Sequence, residues 1–89
     1  MPSLFNIFGY KVYFWTNENG EPIHVHVCKG NPSAKATKIW ITQYGGTIVK
    51  NYSKIPKKDL VKIEEFIKSN IPAITQAWIN IFGSISYYC

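Results

Sequence analysis

The chain has 89 residues with 46% hydrophobic and 16% aromatic side chains, and it sets ten lysines and no arginine against five acids. That length suits one domain, burying ~60–65% of its unfolded surface, and this apolar content argues against disorder. No apolar run approaches the ~20 residues of a membrane span and no basic leader precedes one, so the reading is a cytoplasmic domain without a membrane segment. Charge is also concentrated, with eight lysines and one acid (Asp59) between Lys29 and Lys62. RNA or another polyanion is the natural partner of such a segment. The plain alternative is a set of lysines that only solvates a surface. Lysine holds phosphate but reads base edges poorly, so a bound nucleic acid is expected to be held by its backbone. Cys28 and Cys89 do not make a disulfide framework, which fits a reducing compartment.

In chain order, Met1 to Phe8 is short and apolar before Gly9, and it either lies across the core edge or starts the sheet. Tyr10 to Trp15 reads as a strand, with Tyr10, Val12 and Phe14 on one face and Lys11, Tyr13 and Trp15 on the other. Thr16 to Gly20 is a turn, because Asn19-Gly20 supplies positive φ cheaply. Pro22 opens the next strand, in which Ile23, Val25 and Val27 alternate with His24, His26 and Cys28. Lys29 to Ser33 forms a loop. Lys35 to Thr42 is a third strand, with Ile39 and Ile41 opposing Lys38, Trp40 and Thr42, and Thr47 to Lys50 is a short fourth.

Beyond Tyr52 the period becomes helical. Pro56 suits the first turn of a helix running to about Ser69, with Leu60, Ile63 and Ile67 as its buried stripe and Lys62, Glu65 and Lys68 in solvent. Lys57 and Lys58 occupy that first turn, where the helix dipole favours an anion over a lysine. A second helix restarts at Asn70 and Pro72, buries Ile74, Ala77, Trp78 and Ile81, and is capped by Gly83. The expected fold is α+β: an antiparallel sheet of about four strands, then a helical hairpin packed on one face, with the domain spanning residues 1–83. Residues 84–89 form a tail with no predicted element.

The most chemically suggestive residues are His24 and His26. Their alternation partners are apolar, so both imidazoles are expected on the exposed sheet face away from the helices. As a catalytic pair they would cleave RNA without a metal, one taking the 2′-hydroxyl proton and the other protonating the 5′ oxygen, with Lys11 or Lys29 at the phosphate. A zinc site with Cys28 is disfavoured, because three residues along one straight strand converge poorly on an ion and no further ligand motif appears. No metal and no cofactor is expected. As a binding surface, the histidines join Tyr13, Trp15 and Trp40 to stack bases or dock a protein. The structural alternative leaves both histidines on a solvated sheet face, bonded to Glu18, Glu21 or a tyrosine.

Met1-Pro2, Gly9-Tyr10, Asn17-Glu18, Glu21-Pro22-x-His24-Val25-His26-Val27, Ala36 to Trp40, Ile55-Pro56-Lys57-Lys58 and Trp78 to Gly83 together resemble domain-of-unknown-function family 4160 over about residues 1–83. The resemblance implies a small bacterial protein, often encoded beside a second small gene in a toxin–antitoxin-like arrangement, and hence a cognate small protein partner. It implies no catalytic assignment. The functional expectation is RNA binding or cleavage, with His24 and His26 as the catalytic pair and Lys11, Lys29, Lys57, Lys58 and Trp40 as nucleic-acid contacts. The other expectation is a non-catalytic module that uses the same sheet face to bind and block a protein.

Overall fold

Phe8 and Gly9, with φ of 51° and 81°, form a two-residue turn in the computed structural model, which describes residues 3–15, 20–30 and 35–88. Positive φ at both centres matches the twist of a tight hairpin. This turn joins β1 (Ser3–Ile7) to β2 (Tyr10–Tyr13), with Ile7 opposite Tyr10. The apolar N-terminal stretch therefore starts the sheet. β3 (His24–Lys29), β4 (Thr37–Ile41) and β5 (Thr47–Lys50) complete a five-stranded antiparallel meander in sequence order. Of the expected turn at Thr16 to Gly20 and loop at Lys29 to Ser33, residues 16–19 and 31–33 lie outside the described residues, as do Met1-Pro2 and Cys89, while Gly20 has the positive φ expected of it, 89°.

The inner face follows the alternation. Val12 of β2, Val25 and Val27 of β3, and Ile39 and Ile41 of β4 are fully buried beneath the helices. α1 (Lys57–Ser69) buries Ile63 and Ile67 and leaves Lys62, Glu65 and Lys68 exposed. Phe5 of β1 meets Phe66 edge-on at 5.0 Å, tying the first strand to this helix. α2 (Ile71–Phe82) follows after Asn70, whose side-chain amide donates to the Phe66 carbonyl at 2.8 Å. Ile74 and Trp78 are buried as expected, but Ile81 is exposed. Phe82 packs inward instead, its ring 4.3 Å from that of Trp78 and 5.9 Å from that of Phe14. Gly83 ends α2 at φ 80°, its N–H donating to the Ile79 carbonyl at 2.8 Å.

Two features depart from a sheet with one open face. The outer face carries its own small cluster, in which Tyr13, Cys28 and Ala36 are buried with Trp15 packed against them. The tail at 84–88 has no regular element yet is not loose. Ile85 packs on the core, the Ile23 N–H donates to the Ser86 carbonyl at 2.9 Å, and Tyr88 lies against Trp40 with centroids 5.3 Å apart. Among the described residues, no helix is long and apolar enough to cross a membrane.

Candidate nucleic-acid interface

Alternation along β3 lifts His24 and His26 to the same side, and their ring centroids are 5.0 Å apart with planes at 83°. They are nonetheless in different environments. His24 is fully buried, 5.5 Å from the Trp78 ring and 6.2 Å from that of Trp40. Its Nδ1 lies 2.8 Å from the Pro22 carbonyl. A carbonyl only accepts, so Nδ1 carries the proton and Nε2 the lone pair in the neutral ring. His26 is half-buried and stacks on Tyr13, 5.4 Å between centroids and 25° between planes. The expectation that both imidazoles are exposed is thus corrected for His24. Trp78 of α2 encloses it, and so does Trp40, which is itself backed by Tyr88 of the tail.

Strand register builds a row that alternation alone does not reveal. Tyr13 pairs with His26, His26 with Lys38, and Lys38 with Lys50. Directly opposed residues share a face, and with strands ~4.8 Å apart the row spans about 14 Å across β2 to β5. Its open members are a half-buried imidazole, a half-buried lysine and an exposed lysine. The Lys38 ammonium sits 4.9 Å from the Trp40 ring centroid and 3.6 Å from the Glu21 carboxylate. A partly exposed pair of this kind contributes only ~0–1 kcal/mol, so a phosphate can compete for the ammonium. The next row pairs His24 with Trp40 and Trp40 with Ile48.

The remaining candidates divide between two places. Lys11 lies opposite Cys28 on the outer face, beside the row. Lys29 is at the other end of β3 from His24, roughly 17 Å along the strand, and there it borders a cavity of about 510 Å³. Tyr10, Cys28, Lys35, Lys54 and Asp59 also line this cavity. Lys57 and Lys58 are exposed in the adjoining first turn of α1. The Tyr10 hydroxyl donates to Asp59 Oδ2 at 2.9 Å. Burial, then the hydrogen bond to Asp59 and its charge, raise the Tyr10 pKa above 10.0. Sequence reasoning missed Lys38 and Lys50, whose pairing depends on register, and Lys54 with Tyr10–Asp59, whose meeting depends on how α1 docks. Among the described residues, no group of three or more His, Cys, Asp or Glu could hold a metal ion. Cys28 carries a buried thiol whose Sγ lies 3.8 Å from the Gly30 carbonyl.

A five-stranded meander backed by two helices, with lysines on its outer sheet face and at one sheet end, defines a small basic α+β protein. The chain belongs to the family described as Domain of unknown function (DUF4160), whose model matches residues 9–79. No curated protein and no solved structure matches it.

Proposed function

We propose that this chain binds RNA through the outer face of its sheet, in the cytoplasm, as one member of a toxin–antitoxin-like pair with a cognate small protein. The observation that carries the reading is the His26–Lys38–Lys50 row, which sets one imidazole and two ammonium groups in line across neighbouring strands. Lysine suits phosphate contacts. The half-buried rings of Trp15, Trp40 and His26 suit the unstacked bases that single-stranded RNA offers. Lys50 on this face, and Lys29, Lys54, Lys57 and Lys58 toward the other sheet end, are exposed, and none ion-pairs among the described residues, so the positive charge is unbalanced.

Binding without turnover fits this geometry better than metal-free cleavage. General acid–base cleavage by a histidine pair needs both imidazoles within hydrogen-bond reach of the reacting ribose and phosphate. His24 is enclosed, with Nδ1 committed to Pro22, so only His26 stands within reach of a ligand on the outer face. The alternative, a protein-binding module, draws support from the exposed Ile79, Ile81, Tyr87 and Tyr88, the last of which borders Trp40.

Fluorescence anisotropy with a labelled single-stranded RNA tests the reading, run beside an assay for cleaved product. Saturable, salt-sensitive binding that weakens in His26→Ala and yields no product is the expected result. Cleavage that survives a chelator and disappears in His26→Ala would restore the enzyme. Absence of binding at low salt would leave the protein-partner reading.

A further inference from the structure

The cavity at the Lys29 end of β3 is a separate site from the histidine face. Its lining comes from β2, β3, Lys35 ahead of β4, the 51–56 segment and the first turn of α1, and among the described residues it carries three ammonium groups (Lys29, Lys35 and Lys54) against one carboxylate, Asp59. That carboxylate already accepts the Tyr10 hydroxyl, which lessens its repulsion of a second anion. About 510 Å³ falls within the ~300–1,000 Å³ of small-molecule sites. Tyr52 lines the same cavity and is 58% exposed, so its ring is open to a planar group.

The wall that carries Lys54 is held in advance of any ligand. Thr37, fully buried on β4, donates its hydroxyl to Asn51 Oδ1 at 2.8 Å and accepts the Ser53 N–H at 3.3 Å. Asn51 in turn accepts the Ile55 N–H at 2.9 Å and donates to the Ile55 carbonyl at 3.0 Å. Lys54, at φ 56°, is thus held between two fixed neighbours. A preformed wall spares a ligand the cost of ordering it. α1 begins beside the cavity at Pro56 with no side-chain cap, so the positive end of its dipole adds to the lysines.

We propose that this cavity binds a phosphate-bearing ligand of nucleotide size, its phosphate held by Lys29 and Lys54 and its planar group received by Tyr52. The phosphate belongs either to a free nucleotide or to the 5′ end of an RNA chain. The site does not depend on RNA binding by the sheet row, and the two fail separately, because the far end of β3 is out of a mononucleotide's reach.

Amide-resolved NMR titration of the full chain with AMP, inorganic phosphate and adenosine tests the site. AMP is expected to shift the amides of Gly30, Tyr52, Lys54 and Asp59 saturably, phosphate a subset of them, and adenosine none. Removing ammonium groups in Lys29→Gln with Lys54→Gln should weaken AMP about tenfold or more for each lysine, with an unchanged circular dichroism spectrum. Oligonucleotides with a 5′-phosphate or a 5′-hydroxyl separate the two sources. Preference for the phosphorylated RNA over AMP assigns the RNA end, and the reverse assigns the free nucleotide. No saturable shift at low ionic strength, shifts confined to the sheet row, or binding unchanged in the double glutamine variant would overturn the proposal.

Discussion

The imidazole of His24 meets the indole of Trp78 at 5.5 Å between centroids and 61° between planes, joining the histidine strand directly to the second helix. A fully buried ring in that position contributes through packing, whatever else it does. His24→Ala should therefore cost about 2–4 kcal/mol, as truncation of a buried ring leaves a cavity. His26→Ala, at a half-buried site, should cost no more than ~1 kcal/mol. Urea denaturation of the two variants measures the difference, and equal losses would mean that His24 is not enclosed. His26 is accordingly the cleaner position for any functional substitution.

The Tyr10–Asp59 bond gives a pH signature. The folded protein holds the Tyr10 proton above its ordinary 10.0, first through burial and then through Asp59. A raised folded pKa contributes stability that is complete below the unfolded value and is lost as pH rises through the folded one. Tyr10→Phe should cost about 1–2 kcal/mol at neutral pH. The gap between variant and parent should narrow as pH rises past the ordinary tyrosine value of 10.0, where the unfolded chain begins to lose the proton that the fold retains. Urea midpoints of both proteins across this range measure the gap. A gap that widens with alkalinity would contradict the assigned direction.

Thr37→Val keeps the shape of a buried β4 residue but removes the hydroxyl shared by Asn51 and Ser53. The expected loss is about 1–2 kcal/mol. Amide exchange at Ser53 and Ile55 should accelerate more than at Val25 or Ile39, because the 51–55 wall loses its tie to the sheet while the core strands do not. Uniform acceleration would point to a global effect.

Much of this architecture was legible from periodicity. Alternation assigned Val25, Val27, Ile39 and Ile41 to the inner face, and the helical stripe assigned Ile63, Ile67, Ile74 and Trp78 to the core. The Phe8-Gly9 turn escaped because a bulky residue rarely adopts φ near 51°, so Gly9 read as a break and residues 1–8 as either a segment across the core edge or the start of the sheet. His24 was legible as a residue type and on the correct parity, yet its burial was not. Its cover involves Trp78, on an element far along the chain, and Trp40, backed by a tail whose Ser86 and Tyr88 follow no period. The Lys38–Lys50 pair depends on strand register, which side-chain type constrains only loosely when both partners are polar.

RNA binding by the sheet row is tested most directly by its salt dependence, read from affinities for a single-stranded RNA over a range of salt concentrations. Each phosphate neutralised on a single strand contributes ~0.7 to the slope of log K against log salt. Lys38→Gln combined with Lys50→Gln should weaken binding and lower the slope by about 1.4. The matched pair Lys62→Gln and Lys68→Gln, exposed on α1, should leave the slope within ~0.5 of the parent. A slope that falls equally in both pairs would reduce the interaction to net charge. An unchanged slope in Lys38→Gln/Lys50→Gln, or no binding at low salt, would contradict the account.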